Sequence, residues 1–316
     1  LTPKGFLHDR GDFNDLVTIV ATNIRIAEAL VEKDYWVTHT LWSLDQAGLT
    51  VLFKGGTSLS KGYGIIERFS EDIDVKIEAD DLPKVSSWKS HTIGAVRSRG
   101  NFFDALLSRI DVPGATVDRL ETSSDPAMRN AIFKVDYQGK FQQGLPGDVR
   151  PFVQVEVGSA RVNPGEHRQL TSWIHEFVNQ HAPGVAAECV DNRAAVHCVF
   201  PRVTLLEKIE AIGRCFEQRK SAPAFVRHYE DAARILGALT ESTEEMRELL
   251  GQLKDSGDIK RWPEPDDPAF SFEPTSDRWI QLQQSWQAIA GLFWGERVAL
   301  AACAEMIRDF LQRLQG

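Results

Sequence analysis

From Phe13 to about Asp45 apolar residues recur at helical spacing, with Leu16, Val17, Val20, Ile24, Ala27 and Leu30 on one stripe, and Asp12 or Asn14 can cap the start. The pattern predicts one or two helices at the beginning of the chain. Thr50 to Phe53 is a short β-branched and apolar run ending in Gly55-Gly56, which reads as a strand entering a tight turn, and a helix can restart at Thr57. The stretch Ile73-Asp74-Val75-Lys76-Ile77 alternates cleanly, as do Ile132 to Tyr137 and Phe152 to Val157. Further strands are expected near Thr116 and Val196. After Pro201 the period becomes helical throughout, over Val203–Gln218, Pro223–Leu239, Thr243–Leu253, Asp277–Phe293 and Glu296–Leu314. A proline-rich connection, Arg261 to Pro274, interrupts that series.

These elements define an α+β fold: a small mixed β-sheet covered by helices in an N-terminal lobe, residues 1-200, followed by an all-helical C-terminal lobe, residues 201-316. At 316 residues, 42% hydrophobic and 26% charged, the chain has the balance of an ordinary globular protein with two lobes. No run of about 18 apolar residues occurs, and the first stretch shows no basic segment leading into an apolar one, so no membrane association and a cytoplasmic location are expected. Cys189, Cys198, Cys215 and Cys303 form no C-x-x-C pair and the histidines have no metal-ligand spacing, so buried free thiols are expected and zinc is not.

A net charge of -9 argues against bulk electrostatic coating of nucleic acid. A local basic surface remains compatible with it. Lys84, Lys89, Arg97, Arg99 and Arg109 form such a stretch, interrupted only by Asp104, although by itself it reads first as a solvated helix face.

Alternation carries the chemistry. In a strand successive side chains point to opposite faces, so Ile73, Val75 and Ile77 face one side while Asp72, Asp74 and Lys76 face the other. Two carboxylates that close repel unless a cation lies between them, and hard oxygen ligands favour Mg²⁺ or Mn²⁺. On its own the D-x-D also fits an edge strand that uses acids against aggregation. The turn Gly55-Gly56-Thr57-Ser58, just upstream after its own strand, favours a nucleotide phosphate, because glycine admits close backbone approach and a helix N-terminus attracts anions. Glu156 lies on the face of a later strand opposite Val153, Val155 and Val157 and can join the pair, so that three acids would hold two metal ions. In the helical lobe, Lys208 sits beside a buried stripe and Asp231 lies on the next helix; alone, each reads as a salt-bridge partner.

As a set these residues are recognisable. Phe53-Lys54-Gly55-Gly56-Thr57-Ser58-Leu59-Ser60-Lys61, followed by Glu67-Arg68-Phe69-Ser70-Glu71-Asp72-Ile73-Asp74, closely resembles the signature of the AbiEii/AbiGii toxin family of nucleotidyltransferases. The upstream run Val31-Glu32-Lys33-Asp34-Tyr35-Trp36-Val37, the helix Leu206-Glu207-Lys208-Ile209 and the stretch Arg227 to Asp231 follow the same family's order. The resemblance spans roughly residues 31 to 235 and is sparse between about 80 and 150. It implies a nucleotidyltransferase-like sheet and a toxin of a toxin-antitoxin or phage-defence pair, which transfers a nucleoside monophosphate from an NTP to an acceptor. In the mycobacterial MenT relatives the acceptor is the 3′ end of tRNA. By the same resemblance Asp72 and Asp74 bind metal, Thr57 and Ser58 contact phosphate, Lys208 binds the nucleotide's phosphates and Asp231 supports catalysis. Ser70 occupies a position where relatives are silenced by phosphorylation, and the second lobe is expected to complete the active-site cleft. A cognate antitoxin is an expected partner.

Two readings compete with tRNA modification. The acceptor can be a protein or small-molecule hydroxyl, since fold does not fix substrate. A non-catalytic module that binds nucleotide or a partner is the other.

Overall fold

The computed structural model describes residues 5–70, 72–120, 126–146, 149–159 and 163–316; Glu71 of the motif lies outside them. The chain divides into two compact units, Leu1–Gly62 with Ser70–Cys198, and Tyr63–Phe69 with Val199–Gly316. Residues 63–69, assigned to the first lobe by sequence, therefore pack with the second.

The first unit opens with α1 (Phe13–Ile24) and α2 (Glu28–Gln46). Arg25 ends α1 in the left-handed conformation, φ 58°, which splits the long helical pattern in two. Strand β1 (Thr50–Lys54) runs into a helical turn, α3 (Gly55–Thr57), that continues as a π-helical turn over Ser58–Gly62. There follow β2 (Asp72–Glu78), α4 (Ile93–Leu107), β3 (Ala115–Leu120), β4 (Asn130–Tyr137), β5 (Val153–Gly158), β6 (Gly165–Leu170), α5 (Trp173–His181), α6 (Pro183–Glu188) and β7 (Ala194–Val199). The strands form one mixed sheet in the order β3-β4-β5-β2-β1-β7-β6. β2 pairs antiparallel with β1 and parallel with β5.

One face of the sheet is apolar. Ile73, Val75, Ile77, Phe133, Val135, Val153, Val155 and Val157 are all buried. Trp36 of α2 stacks on Tyr137 with centroids 5.1 Å apart, and Phe103 of α4 meets Phe133 at 6.5 Å. The aromatic core of the unit thus lies between these helices and the sheet.

In the second unit α7 (Pro201–Glu217), α8 (Arg227–Ala238), α9 (Thr243–Asp255), α10 (Asp277–Ala288) and α11 (Leu300–Gln315) follow the expected helical series. Pro201 begins α7, where its missing N–H costs nothing. Ser242 and Glu245 form a reciprocal capping box at the start of α9. Residues 63–69 join this unit through main-chain bonds, Phe69 N to Leu292 O at 2.7 Å and Trp294 N to Glu67 O at 3.1 Å. Among the described residues no helix is long and apolar enough to cross a membrane.

The basic stretch is neither a free cationic face nor a wholly solvated one. Lys84, Lys89 and Arg97 are exposed, but Arg99 is fully buried. Its guanidinium donates to Ala127 O at 2.7 Å, to Ser90 O at 3.0 Å and to Ser87 O. Arg109 is bound to Asp81 and to the Ala47 carbonyl.

Candidate active site

Strand β2 lies in the middle of the seven, so the carboxylates at Asp72 and Asp74 do not guard an edge. Both are half-buried, on the face opposite the buried Ile73, Val75 and Ile77. Across the ladder Asp74 is flanked by Lys54 of β1 and Glu156 of β5, and Asp72 stands beside Gln154. A central strand gains nothing from paired acids unless something cationic occupies that face.

The glycine turn is shaped around one of these acids. Gly55 has φ +82°, and a Cβ there would lie 2.2 Å from Asp74 Oδ2. Only glycine satisfies both the left-handed backbone and the approach of the carboxylate. Thr57 is buried, and its hydroxyl lies 2.7 Å from the Asp72 carbonyl and 2.9 Å from that of Ser70, both acceptors. The Thr57 hydroxyl therefore clamps the turn to the start of β2. Ser58 is buried beside Cys198, whose thiol is pushed up to about 11 by burial, with Ser58 offsetting part of the shift.

Helix α2 braces the same region through three consecutive buried charges, Glu32, Lys33 and Asp34. Successive helical residues point about 100° apart, so each reaches a different element. Glu32 accepts from Lys140 N at 2.9 Å and Phe141 N at 3.1 Å; burial raises its pKa and these two donors offset part of that. Lys33 donates to the Arg150 carbonyl, and the Arg150 guanidinium lies 3.3 Å from Asp72 Oδ1. Asp34 holds Lys61, at the end of the glycine-turn segment, and accepts from Trp173 N at 2.9 Å.

Glu156 is in register with Asp74, and its Oε1 accepts from Asn130 Nδ2 at 2.9 Å. Among the described residues no three His, Cys, Asp or Glu side chains converge into a preformed metal cage. The two aspartates nonetheless fit a hard divalent cation. Mg²⁺ characteristically takes one or two carboxylates and completes its shell with water and substrate phosphates.

Lys208 and Asp231 meet within the second unit, Nζ to Oδ2 at 2.8 Å, and both are buried. The same carboxylate receives Arg68, Nε to Oδ1 and Nη2 to Oδ2, each at 2.7 Å. Burial by itself would push Asp231 up, but Arg68 and Lys208 together hold it far below the usual carboxylate range. Burial lowers Lys208, with Asp231 opposing the shift. His228, whose Nδ1 lies 3.4 Å from Lys208 Nζ, is depressed by burial and by that ammonium, so it is neutral and accepts.

The geometry thus joins the turn at Gly55, Gly56, Thr57 and Ser58 to Asp72 and Asp74 in one unit, and Lys208 to Asp231 in the other. Sequence reasoning passed over Arg68 and Arg150. Arg68 stood inside the quoted motif, whereas nothing in the alternation pointed to Arg150.

A seven-stranded mixed sheet with helices, presenting an aspartate pair beside a glycine turn, defines a nucleotidyltransferase-like protein. The chain belongs to the AbiEii family: the family model described as nucleotidyl transferase AbiEii toxin, type IV TA system, matches residues 40–304. No curated protein matches it. The family match begins after the Val31–Val37 run and continues well beyond residue 235, through helices in which no motif was legible. Membership makes the chain a toxin of the nucleotidyltransferase class, with an NTP as substrate and a cognate antitoxin implied.

Proposed function

We propose that this toxin transfers a nucleoside monophosphate from an NTP to an RNA acceptor, with the 3′ end of tRNA as the leading candidate, using Mg²⁺ or Mn²⁺ in the cytoplasm. The observation that carries the reading is the aspartate pair on one face of a central strand, with Gly55 closed against Asp74. In the transfer, an acceptor hydroxyl oxygen bonds to the α-phosphorus, the bond from that phosphorus to the bridging oxygen breaks, pyrophosphate leaves with the bonding electrons, and the hydroxyl proton passes to solvent water. A divalent cation held by Asp72 and Asp74 would neutralise charge developing on the phosphates. The backbone of the Gly55-Gly56 turn orients them. Thr57 holds the turn against the start of β2, and Arg150 balances Asp72 before substrate arrives. Glu156 is a reserve ligand on the same face, and the family resemblance makes Lys208 a binder of the nucleotide's phosphates. Ser70, whose carbonyl takes the Thr57 hydroxyl bond, is a site at which an added phosphate would oppose metal binding two residues from Asp72.

Incubation with each α-labelled NTP and total cell extract tests the reading. Label is expected in RNA, concentrated at tRNA 3′ ends, and absent with Asp72→Ala or Asp74→Ala. Full activity in either variant refutes the site. Label in protein or small molecules refutes the acceptor, and nucleotide binding without turnover supports the non-catalytic reading.

A further inference from the structure

We propose that Arg68 is the positioning residue for the Lys208–Asp231 pair, fixing the Asp231 carboxylate so that one of its oxygens carries the Lys208 ammonium. The geometry stands by itself; the catalytic consequence rests on the nucleotidyl-transfer reading.

Arg68 is 2% exposed and Asp231 0%, so this is a desolvated pair rather than a surface bridge. Its two parallel bonds, both 2.7 Å, set the plane of the carboxylate as well as its distance. A lysine would supply the charge without that plane. Arg68 is itself held from the main chain. It bridges Phe293, its neighbours Glu67 and Phe69 bond to Trp294 and Leu292, and its Nη1 donates to the Phe69 carbonyl at 3.0 Å.

Charge counting separates orientation from neutralisation. Lys208 alone would neutralise Asp231, so a second cation is not needed to keep that carboxylate ionised. What Arg68 adds is direction: Oδ1 is taken by Nε, and Oδ2 is shared between Nη2 and the Lys208 ammonium at 2.8 Å. Lys208 has three N–H groups, of which Asp231 takes one and neutral His228 another, and the third is left for an anionic oxygen. Asp231, clamped between two cations, is no proton acceptor at working pH. It acts through Lys208.

The test compares wild type, Arg68→Lys and Arg68→Met by label transfer and by nitrogen-15 NMR of the Lys208 ammonium. Arg68→Lys keeps the buried charge and loses the fork. Its kcat/KM is expected to fall about 100-fold, as for a misplaced catalytic group, with a shifted or broadened Lys208 signal. A purely structural role would lower the melting temperature and leave both readouts unchanged in the folded variant, which would overturn the proposal. Should neither variant fold, the wild type still decides it. A bidentate buried guanidinium must show resolved, slowly exchanging Nη resonances, and their absence refutes the clamp.

Failure of the two readings is distinguishable. If Asp72→Ala abolishes transfer while Arg68→Lys matches wild type in both readouts, positioning alone fails. If wild type transfers no label but Arg68→Lys moves the Lys208 signal, the transfer reading fails and the clamp stands.

Discussion

Replacing Gly55 by alanine tests how closely the glycine turn and the carboxylate pair depend on each other. The added Cβ would lie 2.2 Å from Asp74 Oδ2, 3.2 Å from its Cγ and 3.4 Å from its Cβ. Contacts under 3.0 Å are essentially never tolerated, so the carboxylate must swing away by roughly 1 Å, a displacement that costs about 100-fold when it falls on a reacting group. The φ of +82° adds backbone strain of about 1–2 kcal/mol for any residue with a side chain. Gly257→Ala is the internal control, because Gly257 has φ +75° and nothing within 4 Å. Both variants are expected to melt earlier than wild type by similar amounts. Only Gly55→Ala should also lose about 100-fold in kcat/KM for label transfer, measured well below either melting temperature. Equal activities in the two variants would refute the idea that Asp74 needs the space left by Gly55.

Two further outcomes follow from buried groups in the first unit. His39 is driven by burial from its ordinary 6.5 to about 4, and its Nε2 donates to the Pro113 carbonyl at 3.0 Å, leaving Nδ1 as acceptor for Asn192. The unfolded chain binds the proton first, so stability present above pH 6.5 declines as pH falls toward about 4, by about 3 kcal/mol from this residue. Urea unfolding at neutral and acid pH should show that slope reduced in His39→Gln, and an identical slope would refute the burial account. Arg99→Met removes a buried guanidinium from three carbonyls, the buried Ala127 carbonyl and the half-buried Ser87 and Ser90 carbonyls, and is expected to cost about 2–3 kcal/mol in urea unfolding. Unchanged stability with weakened RNA binding would instead restore the cationic-face reading.

Sequence alone was enough for the placement of Asp72 and Asp74, because a period of two and three buried apolar neighbours leave the acids only one face. The same rule located Glu156 opposite the valines of β5, and the helical spacing of apolar residues after Pro201 located the helices. Strand β6, Gly165–Leu170, escaped because its Glu166, His167, Arg168 and Gln169 lie on a sheet edge, where burial imposes no alternation. Arg99 was misread for a related cause. Charge density along a chain does not reveal that one guanidinium turns inward to satisfy carbonyls.

Strand order was beyond local reading, since it depends on pairings between residues far apart, and it is strand order that moves the D-x-D from an edge to the centre of the sheet. Tertiary structure also decided the division of labour among the motif residues. Thr57 is committed to main-chain carbonyls, Asp34 to Lys61, and Arg68 to an acid 163 positions away. The sequence determined which faces carry charge, because side-chain direction repeats locally. Which charges meet was decided only by the fold, because burial forces each one to find a partner wherever the chain brings it.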